Sequence, residues 1–220
     1  MDTYDIAIIG AGPTGMACAL SLAHDNLKIA LIEKRLIPIS KPCGESILPA
    51  GVELLKHLGV LEHIDHQDCH VIRGIHYKTK NSSAQADFFD GVGLGIHRSV
   101  LSQAFSVALH HKSINVIHGE FLGFSQGVVS LKNNLQCKAG FLIGADGLRS
   151  SVRHALGITE KKPLFRRYAL TAHIALKPWS SLVEIYLQNG IEAYVTPTGP
   201  KEVNIVVLWS PTPKHYGKGN

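Results

Sequence analysis

Three glycines spaced Gly-x-Gly-x-x-Gly close an apolar run near the start of the chain, Asp5-Ile6-Ala7-Ile8-Ile9-Gly10-Ala11-Gly12-Pro13-Thr14-Gly15. Ile6 to Ile9 are apolar on both faces and mostly β-branched, which predicts a central parallel strand with helices above and below it. Met16 to Ala23 suits the helix that follows. In such a unit the first glycine allows the tight turn, the second lets the backbone approach a pyrophosphate, and the third lets the helix pack on the strand. The pyrophosphate sits on the unpaired amides and positive dipole end of the helix. Glycine-rich turns are common, so the weight lies in the context. Lys28-Ile29-Ala30-Leu31-Ile32-Glu33 reads as a second buried strand ending in an acid. Glu33 follows Gly10 at close to the roughly 20-residue spacing at which a carboxylate reaches an adenosine ribose. The competing reading, a solvated acid at a strand end, does not account for strand, turn, helix, strand and acid falling in order.

With 220 residues the chain can bury a large core in one or two domains. Lys and Arg number 22 against 17 acids, a net charge of +5 that suits an anionic ligand. No basic block interleaved with aromatics accompanies it, so nucleic acid is not an expected partner. The apolar stretches are strand-sized, well short of the run of about 18 that spans a bilayer. The N-terminus enters the first strand without the features of a secretory signal, and the cytoplasm is the expected compartment. Cys18, Cys43, Cys69 and Cys137 are scattered, with no Cys-x-x-Cys pair. The 13 histidines, His110-His111 among them, show no ligand spacing, so no metal site is expected.

Further along, Leu36 to Gly44 reads as a loop, and Pro49 opens a helix that Gly59 stops. Val71 to Lys78 and Ala86 to Phe89 read as strands around Lys80-Asn81-Ser82-Ser83, an antiparallel insertion at about 71–90. Arg98 to His111 supplies a helix and Asn115 to His118 a strand. Phe121 to Phe124 and Val128 to Leu131 pair around Gln126-Gly127 as a β-meander. Ala139 to Gly144 is another buried strand, running into Asp146-Gly147; Asp146 either returns to the nucleotide edge of the sheet or caps a helix from Leu148. From Leu164 short strands follow: Tyr168 to Ala175, Val183 to Leu187, Ile191 to Val195 and Val203 to Trp209. Pro211, Pro213 and Tyr216 to Asn220 then end the chain without a closing helix, which reads as a truncation.

Taken together, Gly10 to Gly15, Glu33-Lys34-Arg35, Arg98 at its helix start and Gly144-Ala145-Asp146-Gly147-Leu148-Arg149-Ser150-Ser151-Val152-Arg153 resemble the FAD-dependent oxidoreductases of the para-hydroxybenzoate hydroxylase type. That group includes aromatic monooxygenases, flavin halogenases and geranylgeranyl reductases. Lys41-Pro42-Cys43-Gly44-Glu45 and Ala193-Tyr194-Val195-Thr196-Pro197 look more like its reductase and halogenase branches. The resemblance implies an α/β fold: a Rossmann-like, glutathione-reductase-type FAD-binding domain with a β-meander over residues 1–163, and part of a β-rich substrate domain over 164–220. It implies FAD as cofactor and NAD(P)H as its reductant, with a small-molecule substrate of apolar or lipid-like character. It assigns cofactor contacts to Gly10, Ala11, Gly12, Pro13, Thr14, Gly15, Glu33, Lys34, Arg35, Cys43, Gly44, Arg98, Asp146 and Gly147. Glu33 would take the adenosine ribose, Arg98 would lie near the phosphates, and the loop with Cys43 would pass near the flavin ring.

The family's later Gly-Asp-Ala-Ala-His type motif, whose Asp holds the ribityl chain, does not occur after Asp146. No catalytic acid or base is assigned; Cys43 is the one outside candidate, against an inert, partly buried thiol. Two functions follow from the residues: an FAD oxidoreductase of monooxygenase or reductase type, or a truncated module that holds FAD or its ADP half without turnover. A simple NAD-binding domain is a third reading, and the Asp-Gly motif argues against it.

Overall fold

The apolar run ahead of the glycines is buried along residues 6–9, and its counterpart at residues 29–32 is buried throughout, as strands covered on both faces require. The computed structural model describes residues 1–23, 26–110, 112, 114–158 and 166–210, and of Asn133 the backbone alone. Its elements in chain order are β1 (Thr3–Ile9), α1 (Pro13–Leu22), β2 (Ile29–Glu33), β3 (Ser46–Ile47), α2 (Pro49–His57), β4 (Cys69–Ile72), β5 (Gly74–Lys78), β6 (Ser83–Asp87), β7 (Gly93–Ile96), α3 (Arg98–His110), β8 (Ile114–His118), β9 (Phe121–Ser125), β10 (Val128–Leu131), β11 (Gln136–Gly144), α4 (Ser151–Ala155), β12 (Tyr168–Ile174), β13 (Leu182–Gln188), β14 (Ile191–Gly199) and β15 (Glu202–Trp209). They group into two units, Met1–Ser40 with Leu55–His63 and Ser99–Lys161, and Lys41–Leu54 with Ile64–Arg98 and Lys162–Asn220.

In the first unit six strands lie in the order β8-β2-β1-β11-β10-β9. The first four are parallel, and β10 and β9 add an antiparallel meander around Gln126-Gly127. Ile9 is in register with Ile32 on one side and Gly144 on the other, so the carboxyl ends of three strands finish level. The chain leaves β1 towards β2 on one flank and reaches β11 on the other, the switch point where ligands bind in open α/β sheets. One face buries Ala7, Ile9, Ala30 and Ile32 with Phe121, Val129, Leu131 and Val152. Helix α1 packs on β1 and β2 and buries Met16, Ala19 and Leu20.

The second unit holds a sheet ordered β12-β15-β14-β13-β5-β6 and a three-stranded sheet β3-β7-β4. β5 pairs parallel with β13, which draws residues 74–87 of the expected insertion to the strands after residue 166. A single strand over Val71–Lys78 is not what forms. It divides into β4 and β5 at Arg73, whose amide donates to Ser181 and whose carbonyl accepts from Phe88. The strand expected at Ala86–Phe89 begins earlier, at Ser83, because Thr79–Ser82 closes the turn through the Ser82 carbonyl. The helix expected from Leu148 starts three residues later, at Ser151. Leu164, Pro211, Pro213 and the terminal Tyr216–Asn220, read above as a strand onset and an open end, lie outside the described residues, as does His111. Among the described residues no helix is long and apolar enough to cross a membrane.

Glu184 on β13 is a buried charge of the second unit, and it accepts from Lys78 Nζ at 2.9 Å, Tyr186 Oη at 2.6 Å and Trp179 Nε1 at 3.2 Å. Burial alone would push its carboxyl up; the three donors outweigh that and hold it below the ordinary carboxylate value. A depressed native pKa contributes stability above the unfolded value that is lost as pH falls through the native one. Glu184→Gln is therefore expected to lower stability by about 1.5–3 kcal/mol at neutral pH. Denaturant midpoints of the two proteins, measured from neutral to acid pH, should converge as the pH drops below the ordinary carboxylate range.

Candidate functional site

The turn between β1 and α1 is built by two forced glycines and one unforced glycine. Gly10 has φ +103°, and a Cβ there would lie 2.6 Å from the Ala145 carbonyl oxygen and 2.7 Å from the Asp146 Cα. A Cβ on Gly15 would collide with the Gly10 carbonyl oxygen. Both absences of side chain let β1, α1 and the end of β11 meet. Gly12 is different: it is the N-cap of α1 in ordinary extended geometry, φ −70° and ψ 174°, with nothing within 4 Å of where its Cβ would be. No packing inside the first unit calls for glycine at that position, whereas a phosphate resting on the helix end does.

Pro13 occupies the first helical position, and the Met16 amide donates to the Gly12 carbonyl at 2.9 Å, so the helical ladder starts directly at the turn. Remaining first-turn amides have no acceptor inside the helix and point along its positive end. Thr14 is exposed beside them.

Glu33 is brought to the same turn. Its Oε2 accepts from the Ala11 amide at 2.8 Å and its Oε1 from the Arg35 amide at 3.0 Å. Each carboxylate oxygen keeps a further lone pair, so the group is fixed in place and still able to accept. A cavity of about 260 Å³ opens beside Glu33, lined by Arg35, Leu36, Leu109, Ile117 and His118 among others. Lys34 is exposed and its ammonium lies 3.9 Å from Glu120.

At the end of β11, Asp146 is engaged by three donors: Ser150 Oγ at 2.5 Å and the amides of Ser151 at 2.6 Å and Val152 at 3.2 Å. Ser150 is the N-cap itself, its Oγ accepting from the Arg153 amide at 3.0 Å. Asp146 therefore ties down the first turn of α4 alongside that cap, while Gly147, at φ +82°, accepts at its carbonyl from Arg153 Nη2 at 3.3 Å.

Cys43, Gly44 and Arg98 belong to the second unit. The Cys43 carbonyl accepts from Asn204 Nδ2 at 2.8 Å, Gly44 is exposed, and the Arg98 amide donates to Glu45 Oε1 at 2.8 Å. All four cysteines are free, and burial pushes the Cys18, Cys69 and Cys137 thiols up. Residue patterns picked out Glu45 only as the end of the Lys41–Glu45 run and gave no sign that it meets His97 and His173, which converge on it in this unit from separate segments. Nor did they indicate the wall that Leu109, Ile117 and His118 give the cavity beside Glu33, which only the placement of β8 next to β2 reveals.

Comparison with known proteins gives a match to the family described as FAD binding domain over residues 3–114. The chain is 27% identical over 243 aligned residues to menaquinone reductase of Mycobacterium tuberculosis, covering 94% of this chain and 55% of that one. It is 31% identical over 173 residues to 3-demethoxyubiquinol 3-hydroxylase of Escherichia coli, covering 70% of this chain and 44% of the other. The crystal structure of pqsL, a probable FAD-dependent monooxygenase from Pseudomonas aeruginosa, superposes with a TM-score of 0.83 at 17% identity over 95% of this chain and 61% of that one. The chain thus spans about half the length of these two curated relatives.

Substitutions at two of the glycines should separate fold from binding. Gly12→Val is expected to leave the far-ultraviolet circular dichroism spectrum unchanged and to abolish affinity for FAD and ADP in calorimetry. Gly15→Val should lose the folded spectrum, because its side chain has the Gly10 carbonyl in its place.

Proposed function

Since the chain belongs to the FAD binding domain family, we propose that it holds FAD as the cofactor-bearing portion of an oxidoreductase of monooxygenase or reductase type, with NAD(P)H as reductant. The observation that carries the reading is the open space over Gly12 at a helix N-terminus, with the fixed Glu33 carboxylate beside the same turn. Gly10 to Gly15 and the dipole of α1 receive the pyrophosphate, and Glu33 accepts from the ribose hydroxyls. The apolar wall of Leu36, Leu109 and Ile117 next to Glu33 suits a flat adenine. Lys34 and Arg35 supply positive charge for the phosphates, and the Asp146-Gly147 loop contributes a further cofactor contact. When bound, FAD supplies the electron transfer between a reduced pyridine nucleotide and the substrate.

On this reading the first unit is the nucleotide-holding part, and the strands from residue 168 onward belong to the substrate side. The substrate is a small apolar or lipid-like molecule, in line with the menaquinone and demethoxyubiquinol in the names of two relatives.

Purified protein is expected to be yellow and to bleach when NADH or NADPH is added without oxygen. A chromophore that never bleaches removes the reductant from the proposal, and a colourless protein without affinity for FAD removes the cofactor. Glu33→Ala should weaken ADP and FAD binding at least tenfold, since a charge-assisted hydrogen bond contributes roughly 1.5–3 kcal/mol and about 1.4 kcal/mol is a decade. The loss should nearly vanish with a dideoxy-ribose analogue, which has no hydroxyls to donate. Equal weakening of ADP and of its dideoxy-ribose analogue would refute the ribose assignment.

A further inference from the structure

Glu45 is a buried residue held at φ +55°, a left-handed conformation that non-glycine residues adopt at a cost and keep only where surrounding contacts impose it. Its carbonyl accepts from the Ile96 amide at 3.0 Å and its Oε1 from the Arg98 amide at 2.8 Å, so both ends of the residue are pinned to the segment that contains His97. Its other oxygen, Oε2, lies 2.7 Å from His173 Nε2, and the rings of His97 and His173 have centroids 4.1 Å apart. One ligand-type atom from each of Glu45, His97 and His173 lies within 4.8 Å of the other two.

A second observation comes from the neighbouring ladder. Asn204 on β15 is directly opposite His173 on β12, so the two side chains share a face of the sheet, and Thr171 is on that face two residues away. Asn204 is completely buried; its Nδ2 donates to Cys43, while its Oδ1 has no partner among the described residues, and neither has Thr171 Oγ1. A stranded amide oxygen and a stranded hydroxyl on that face suit a group that can both donate and accept, such as metal-bound water.

We propose that Glu45, His97 and His173 form a three-ligand site for a borderline divalent cation of the zinc class. Two imidazoles and one carboxylate are a donor set that such ions favour, with the remaining position left to water. Ligation is monodentate through Oε2, because the Arg98 amide fixes Oε1 in the way that outer partners orient metal-binding carboxylates. Bonds of about 2.0–2.1 Å in a tetrahedron place ligand atoms about 3.4 Å apart. The Glu45–His173 pair therefore opens by a fraction of an ångström and the widest separation closes by at most about 1.4 Å, through rotation of the half-buried His97 and half-exposed His173 rings. Sequence spacing gave no hint because the ligands come from three distant segments. The site lies wholly in the second unit and does not rest on the nucleotide reading.

Equilibrium dialysis of the full chain against zinc, after chelator treatment, is expected to find one saturable site. Glu45→Gln and His173→Gln should each weaken it at least tenfold, while Cys69→Ser and His70→Gln leave it unchanged. If metal-free Glu45→Gln melts early, His97→Gln decides in its place, since that ring is not buried with the carboxylate. Cobalt loading should give the visible absorption of a nitrogen–oxygen ligand field, lost in the same variants. Absence of saturable zinc binding, or binding that survives the histidine substitutions, overturns the proposal.

Discussion

The hydrogen bond from the Ala11 amide to Glu33 Oε2, 2.8 Å long, joins the turn after β1 to the end of β2, and the candidate site depends on it. It is possible only because Ile9 and Ile32 are level in the parallel ladder and Gly10 turns the chain away at once, its amide donating to the Ile32 carbonyl. Across the other edge of β1 the Ala145 amide donates to the Ile9 carbonyl and brings the Asp146 loop to the same rim. One strand thus sets the positions of the helix end, the carboxylate and the acidic loop. Since Glu33 is held by two backbone donors before any ligand arrives, little conformational freedom remains to be lost on binding.

What the residues disclosed in advance was local. Strand β1, helix α1, strand β2 and the helix at Arg98 are written in short-range periodicity and glycine placement, and they form as read, with ends shifted by a few residues. The meander around Gln126-Gly127 was legible for the same reason. What stayed hidden is long-range. The parallel pairing of β5 with β13 joins residues that no periodicity relates, and it assigns the middle of the chain to the second unit. Asp146 and Ser150 divide the capping of α4 between them, a geometry that a run of cap-forming residues leaves open. Glu45 and His173 meet across most of the sequence, and a lone His in a strand carries no mark of its partner.

Gly12 shows how a glycine can be informative by what does not surround it. Gly10 and Gly15 are explained by backbone that would otherwise overlap. Gly12 has a common φ and clear space, so the fold leaves its identity undetermined. Glu45 makes the opposite case: a residue whose conformation favours glycine carries a buried carboxylate instead, and the contacts that hold it there converge on two histidines.

The position of β1 also has a consequence in time. During synthesis its partner β2 follows within a few dozen residues, but its other partner, β11, arrives only after Gln136. Until then a seven-residue strand, apolar from Ile6 to Ile9, has one unpaired edge, the kind of surface that other strands add to. The second unit waits longer still, because β5 lies without its parallel neighbour until the chain has passed Leu182. Closing such distant pairings is slow, so these edges stay unpaired until the late strands arrive.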